Sequence, residues 1–309
     1  MKEICISIDL DPLSCYYDIH GIEIPENKIQ NVVYTKALER IYNFFVGINI
    51  KPTLFVVGRE LNDERTVSSL KDAISMGYEI ANHSYSHLYN LSLLPENIIE
   101  EEIEGCHKII GDRLGVRPIG FRAPGYNMHP HFIRLITNME YRYDSSILPS
   151  PFYYFLKCAV IGFYRLIGRK TKSICGSIKM PFAERRIYPM GPDLYSRAVR
   201  YSSILEIPIS VAGRLGIPFI GTFIMGSKNI LYNYLKKKAK LQDFLHIELH
   251  GLDFIDRDDV KDDRLCKAQF DINIPLRIKL DRLKSFIDEF KPDRVKRLSD
   301  FRLQDYVFV

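Results

Sequence analysis

Asn82-His83-Ser84-Tyr85-Ser86-His87 is the stretch from which the fold and the chemistry of this sequence can be approached. Its two histidines, four residues apart, follow the apolar run Tyr78 to Ala81, which has the length of a short strand. A loop that follows a strand is where α/β enzymes carry their chemistry. Two neutral imidazoles can hold a divalent metal if an oxygen ligand arrives from elsewhere. Alone the pair is a weak signal, because the same spacing often occurs by chance.

Strand and helix patterns alternate along the chain on both sides of this stretch. Predicted strands cover residues 4–8, 53–57, 78–81, 118–121, 141–143, 204–209, 244–249 and 295–298. Predicted helices cover residues 30–47, 63–76, 96–114, 229–240 and 274–290, whereas 11–27 and 250–263 are predicted to be loops. This alternation predicts parallel strands joined by right-handed crossovers. Because each polar cluster falls at the C-terminal end of a strand, the pattern favours a (β/α) barrel over a doubly wound sheet.

The composition predicts one folded domain, residues 1–309. The chain is 46% hydrophobic and 26% charged, which is enough to bury a core. Its net charge of +5 is too small to indicate nucleic acid as a partner. Six cysteines without a C-x-x-C pair, an N-terminus that leads directly into a strand, and apolar runs shorter than the ~20 residues that span a bilayer predict a cytoplasmic protein.

The segment 149–190 interrupts the alternation and is predicted to be a helical, basic insertion. Apolar residues recur at helical spacing from Phe152 to Ile167, and residues 151–183 contain lysines and arginines but no acidic residue. One interpretation is a helix packed on the barrel with a solvated basic tail. The other is peripheral contact of residues 152–186 with the inner face of an anionic membrane, or with a lipid phosphate.

Five predicted strand ends carry polar groups that one barrel could bring together. They are Asp9 with Asp11, His83 with His87, Arg122, Asp144, and His250. Two histidines and one aspartate form a donor set suited to zinc, with a position left open for water. A second carboxylate could take a proton from that water, and a histidine could protonate a leaving nitrogen. The set therefore describes metal-assisted hydrolysis of an amide.

Taken in order, these motifs resemble those of the NodB-like polysaccharide deacetylases, carbohydrate esterase family 4. Residues 7–11 resemble the first motif, 82–87 the His-Ser/Thr-x-x-His metal motif, 121–125 the Arg-x-Pro motif, and 249–250 the last motif. The resemblance covers roughly residues 4–146 and 204–300. It implies a distorted, incomplete, seven-stranded TIM-like barrel, a divalent metal (most simply Zn²⁺), and a carbohydrate substrate that loses its N-acetyl group.

The resemblance also implies a role for each matching residue. Asp9 would be the catalytic base, oriented by Arg122, and His250 the general acid, with His246 as its rival in the same strand. The metal ligands would be Asp11, His83 and His87.

Three departures from the family pattern leave alternatives open. Gly125 stands where the family usually has a tyrosine whose backbone N–H helps to form the oxyanion hole, a role that a backbone donor can keep. The aspartate of the fourth motif lacks its tryptophan, so Asp144, with Asp253 behind it, is the candidate. The missing export signal and the insertion favour a lipid-linked or nucleotide-linked sugar over cell-wall polymer. A deformylase or other amidase, and a non-catalytic sugar-binding homologue, are the alternatives.

Overall fold

The fold was analysed in a computed structural model that describes residues 1–25, 31–198 and 202–306. The strands are β1 (Glu3–Asp9), β2 (Thr53–Val56), β3 (Glu79–Asn82), β4 (Gly120–Phe121), β5 (Tyr143–Asp144), β6 (Tyr188–Pro189), β7 (Leu205–Glu206), β8 (Val211–Ala212), β9 (Ile217–Pro218), β10 (Phe244–His250) and β11 (Arg294–Val295). The helices are α1 (Leu13–His20), α2 (Leu38–Gly47), α3 (Glu64–Ser75), α4 (Glu96–Leu114), α5 (Pro130–Asn138), α6 (Pro151–Leu166), α7 (Gly221–Gly226), α8 (Asn229–Ala239), α9 (Arg257–Val260), α10 (Asp263–Ala268) and α11 (Leu276–Phe290).

The main sheet is a curled row of parallel strands in the order β10-β1-β2-β3-β4-β5-β7. β6 pairs with β7 in the antiparallel direction, and β11 pairs with the start of β1. The two ends of the row meet through irregular backbone. There the Ser210 N–H donates to the His246 carbonyl (3.1 Å), and the Glu248 N–H donates to the Phe219 carbonyl (3.2 Å). The predicted distorted, incomplete seven-stranded barrel is therefore confirmed.

Side chains of β1 alternate between the helices and the barrel interior, as the strand geometry requires. Ile4, Ile6 and Ile8 pack into the large core formed with the surrounding helices. Cys5 instead points into the barrel, where a second core fills the N-terminal end of the strands with Phe55, Ala81, Tyr143, Leu205, Ile207, Leu298 and Phe301. Ser7 and Asp9 lie on this inward face nearer the C-terminal ends, so the apolar filling stops where the polar residues begin.

Two segments that were predicted to be loops contain helices, so those predictions were wrong. In 11–27, Leu13, Tyr16, Tyr17 and His20 form one buried helical face, which ends at Gly21 in the left-handed conformation (φ 59°). In 250–263, the aspartates cap short helices instead of lining a mobile loop. The Asp256 and Asp262 side chains accept from the first turns of α9 and α10.

Most of the other predicted elements occur with small shifts of their ends. The helix that was predicted from residue 30 begins, within the described residues, with a π-helical turn at Val33–Ala37, and residue 30 itself lies outside them. The strands predicted at 118–121, 141–143 and 204–209 are reduced to two residues each. The insertion does form a helix, α6, whose start is capped by Ser150 Oγ accepting from the Tyr153 N–H (2.9 Å). Among the described helices, none combines the length and the hydropathy that crossing a membrane requires.

Candidate active site

Asp11, His83 and His87 meet at the C-terminal end of the barrel strands. Asp11 Oδ1 lies 3.3 Å from His83 Nε2 and 3.2 Å from His87 Nε2, and all three side chains are buried. Asp11 and His83 follow the ends of β1 and β3, so the parallel topology carries them to the same mouth of the barrel. The structure thus brings together the three side chains that were predicted as metal ligands.

The donor atoms of this cluster fit a cation. His83 Nδ1 donates to the Arg122 carbonyl (2.8 Å), so in the neutral imidazole the lone pair of Nε2 faces Asp11. Asp11 Oδ1 is buried and has no hydrogen-bond donor among the described residues. Burial would raise the pKa of Asp11, but His87 and His83 hold it well below its usual value. A carboxylate that faces two imidazole nitrogens in a dry site is the arrangement that a divalent metal stabilises.

A tight turn holds the two histidines in place. Ser84 and His87 both have left-handed backbone (φ 63° and 56°), a conformation that costs free energy in residues with a side chain. The turn is fixed by polar side chains: Asn82 Oδ1 accepts from the Ser84 N–H (2.8 Å), and Ser84 Oγ accepts from the His87 N–H (3.1 Å). Glu102 of α4 accepts from the Ser86 N–H (2.7 Å). The hydroxyl and amide residues of the motif therefore maintain the spacing of its histidines.

Asp9 lies beside the metal cluster and is held by Arg122. The guanidinium donates to Asp9 Oδ1 (2.5 Å), while Asp9 Oδ2 lies 3.6 Å from His83 Nε2. Arg122 is fully buried and also donates to Ser7 Oγ (2.9 Å) and to the Ser145 carbonyl (2.7 Å). The Phe55 ring lies 4.1 Å from its Cζ. With its guanidinium held in this way, Arg122 fixes the carboxylate of Asp9 in one orientation.

His246 supports this pair from the barrel interior and does not reach the mouth. Its Nδ1 bonds to the Pro208 carbonyl (3.1 Å), which can only accept, so the proton is on Nδ1. Its Nε2 therefore accepts from the Ser7 hydroxyl (2.8 Å), whose oxygen in turn accepts from Arg122. Burial lowers the pKa of His246 to about 3, so the ring stays neutral at physiological pH.

His250 lies at the mouth of the barrel, at the end of β10, the strand next to β1. It pairs in register with Asp9, and its Nε2 lies 3.3 Å from Glu248 Oε1 and 3.9 Å from Asp11 Oδ2. Tyr126 donates to the same Glu248 oxygen (3.0 Å). Burial opposes protonation of His250, but Glu248, Asp11 and Asp9 raise its pKa to about 9. Of the two histidines in β10, His250 is the one that can hold a proton next to the cluster.

The three remaining candidates lie around the cluster. Asp144 bonds to Ser146 and shares a hydrogen bond with Glu206, because β5 and β7 place the two residues in register. Burial raises the pKa of both carboxyls, and the structure does not bring Asp144 to the metal ligands. Asp253 accepts from the backbone N–H of His250 (2.8 Å) and caps the turn after β10. Gly125 lies at the mouth with left-handed backbone (φ 60°).

Comparison with known sequences fits this geometry. The sequence model of the polysaccharide deacetylase family matches residues 31–143, which include the metal motif and Arg122. Residues 31–143 of the chain are therefore similar to the polysaccharide deacetylases. A curated relative, the peptidoglycan deacetylase-like protein FGM2 of Gibberella zeae, is 32% identical over 102 residues. That match spans 33% of this chain and 29% of the relative's length.

Solved structures show the same fold at low sequence identity. The putative polysaccharide deacetylase of Mycobacterium smegmatis has a TM-score of 0.64 and 16% identity, covering 99% of this chain and 91% of that chain. Puue allantoinase has a TM-score of 0.58 and 14% identity, covering 96% of this chain and 88% of that chain. Because proteins with different activities share this barrel, the substrate of this chain has to be argued from its own residues.

A cavity of about 410 Å³ adjoins Gly125 and His250. Much of its lining is aromatic or aliphatic and comes from α1, α6 and α7, including Tyr16, Tyr153 and Phe223. One wall is the inserted helix α6, which also contributes Lys157. The sequence placed Lys157 in the basic insertion but did not indicate that it lines this cavity. The sequence feature that could have placed Lys157 in the cavity wall is its helical spacing. It lies three or four residues from Tyr153, Tyr154 and Ile161, on one face of the helix.

Proposed function

We propose that this chain is a metal-dependent hydrolase that removes an N-acetyl group from a carbohydrate. The observation that carries the proposal is the convergence of two acid–base groups on one set of metal ligands. Asp9 and His250, with Glu248, have ligand atoms within 4.8 Å of one another, directly beside the cluster of Asp11, His83 and His87. A protein that only bound sugar would need neither a base nor an acid at this position.

The proposed roles follow from what each side chain touches. Asp11, His83 and His87 would hold the metal, and we propose Zn²⁺ because two imidazoles and one carboxylate form a zinc donor set. When bound, the cation supplies Lewis-acid chemistry, acidifying water and polarising a carbonyl. Asp9, fixed by Arg122, takes the proton of the attacking water.

The remaining roles concern the charges that develop as the amide is cleaved. The Gly125 N–H donates to the oxygen that becomes anionic, and His250 gives a proton to the nitrogen that leaves. Asp144 accepts from Ser146 Oγ, which accepts from the Ala123 N–H, so Asp144 would act only by positioning the backbone that follows Arg122.

Acetate release is the direct test of this function. We expect zinc-loaded protein to release acetate from at least one member of a panel of N-acetylated sugars, and chelator-treated protein to regain that activity when zinc is restored. N-formyl sugars and non-sugar amides form the second arm of the panel. Turnover confined to that arm would favour the deformylase or amidase alternative, and no turnover in either arm would contradict the proposal.

We further propose that α6 lies against an anionic membrane, which would place the site next to a lipid-linked sugar. The outward face of α6 exposes Phe155, Phe163, Leu166 and Ile167 to solvent. Arg165, Arg169 and Lys170 add positive charge at the C-terminal end of this helix. Lys172, which comes next, is already paired with Asp18 (2.9 Å). Exposed apolar side chains beside uncompensated positive charge match the interface of an anionic bilayer.

The double substitution Phe163→Ser and Leu166→Ser is expected to weaken binding to phosphatidylserine vesicles by about tenfold or more. Two large apolar side chains then no longer enter the bilayer. The measurement is co-sedimentation with anionic and with neutral vesicles at two salt concentrations. Ile230→Ser on α8 is the matched control, since Ile230 and Leu166 are both 87% exposed. Equal sedimentation of the double variant and the unaltered protein would contradict the membrane proposal.

A further inference from the structure

Lys157 places a positive charge in the wall of the cavity beside the active site. Its Nζ donates to the Gly125 carbonyl (3.0 Å), the residue next to Tyr126, which itself bonds to Glu248. A lysine ammonium has three N–H donors, and this bond uses one of them. Burial lowers the pKa of Lys157 to about 8. The side chain is half-buried in the cavity wall.

No carboxylate compensates this charge in the described part of the chain. The ionisable groups that raise the pKa of Lys157 are the thiols of Cys175 and Cys158. Two carboxylates do line the same cavity, but each already accepts a hydrogen bond: Asp253 from the backbone of His250 (2.8 Å), and Asp271 from Gln269 (2.7 Å). A half-buried ammonium that faces a cavity and has no carboxylate partner keeps N–H donors available for an anionic group of a ligand.

The rest of the cavity suits a ligand with one charged group. The hydroxyl of Tyr16 is buried and has no hydrogen-bond partner among the described residues. Thr171 and Ser173 add two hydroxyls to the wall that α6 and the segment after it form. Tyr89 and Tyr153 offer aromatic rings, against which the apolar face of a sugar ring can pack.

We propose that Lys157 recognises a negatively charged substituent of the substrate, a phosphate ester or a carboxylate, carried close to the amide that is cleaved. This inference rests on the proposed function and narrows its substrate to anionic N-acyl sugars. The hydrogen bond from Lys157 to Gly125 indicates how close the charged substituent lies to the amide that is cleaved. The ammonium contacts the same residue whose N–H is assigned to the oxyanion, so the charged substituent lies on the reacting sugar or on its immediate neighbour.

A purely structural role for Lys157 predicts a different result. Gly125 and Tyr126 both have left-handed backbone (φ 60° and 64°), and the bond from Lys157 could serve only to hold this turn. In that case, removing the lysine would impair charged and neutral substrates alike. A substrate contact would instead impair the charged substrates alone.

The test compares kcat/KM for N-acetylglucosamine 1-phosphate and for N-acetylglucosaminuronic acid with that for neutral methyl N-acetylglucosaminide. In Lys157→Met, the ratio of charged to neutral kcat/KM is expected to fall about tenfold or more, because a charge-assisted hydrogen bond is lost. Lys157→Arg should restore most of the ratio. The two charged sugars show whether the group is a phosphate or a carboxylate. Lys237→Met on α8, which removes the same charge at an exposed position, should leave the ratio unchanged.

Calorimetric titration separates this inference from the proposed reaction. The same sugars are titrated into zinc-loaded Asp9→Asn protein, with and without Lys157→Met, so that binding is measured in the absence of turnover. Lys157-dependent preference for a charged sugar would support the anion site even if no acetate were released. An unchanged charged-to-neutral ratio in both the kinetic and the binding experiments would overturn it.

Discussion

Replacing His83 with alanine is expected to remove the bound metal and the activity together. The ring supplies one of three converging donor atoms, and its Nδ1 is already committed to the Arg122 carbonyl. Metal content, measured by plasma mass spectrometry after dialysis, should fall from about one equivalent per chain to about a tenth or less. Turnover should fall about a thousandfold or more, because water that is not activated by a cation keeps a pKa far above neutrality.

The control for His83→Ala is the same substitution at His131. That side chain lies on α5, where it bonds to Glu100 (3.1 Å), and it has no contact with the cluster. His131→Ala should therefore keep both the metal and the activity. Full metal content together with normal turnover in His83→Ala would refute the assignment of the metal ligands.

Replacing Asp9 with asparagine is expected to separate catalysis from metal binding. The amide can still accept a hydrogen bond from Arg122, but it cannot take a proton from water. Turnover should fall by about 10² to 10⁴, the usual contribution of a general base. Metal content should stay at the level of the unaltered protein, because Asp11, His83 and His87 are unchanged.

Asp9→Asn also leaves the buried guanidinium of Arg122 without its carboxylate, so a folding control is needed. Circular dichroism and thermal unfolding should show a native fold at the assay temperature. Asp112→Asn makes the same chemical change at an exposed position of α4 and should alter neither turnover nor metal content. If Asp9→Asn lost its metal along with its activity, Asp9 would belong to the ligand set, and Glu248, which lies within 4.8 Å of it, would be the next candidate for the base.

The convergence of the site could be predicted because it depends on topology alone. Parallel strands end at one mouth, so side chains that follow the ends of β1, β3 and β10 must lie near one another once the strands are adjacent. The polar residues stood at those ends in the sequence, and the order of the strands follows from right-handed crossovers. For this reason Asp9, Asp11, His83 and His250 could be named before their distances were known.

Features of the site that depend on strand register or on helix packing could not be predicted from the sequence in the same way. Asp144 was expected at the reaction centre, but its pairing with Glu206 is set by the register of two-residue strands, which leaves little trace in the sequence. Helical periodicity identified α6 but not the side of the barrel that it covers, so the place of Lys157 beside Gly125 was missed. The helix within 11–27 was missed because its buried face includes two tyrosines and a histidine, Tyr16, Tyr17 and His20, and these residue types also occur in exposed loops.

Because β1 lies between β2 and β10, one of its neighbours is synthesised soon after it and the other much later. Along the emerging polypeptide, the three proposed metal ligands are all present by residue 87, but the strand that carries His250, β10, is synthesised much later. On the proposed function, the metal ligands are therefore synthesised well before the proton donor. Pairing β1 with β10 joins residues 3–9 to residues 244–250, and contacts between residues so distant in sequence form slowly. The proposed acid–base pair is therefore expected to assemble after the proposed ion site.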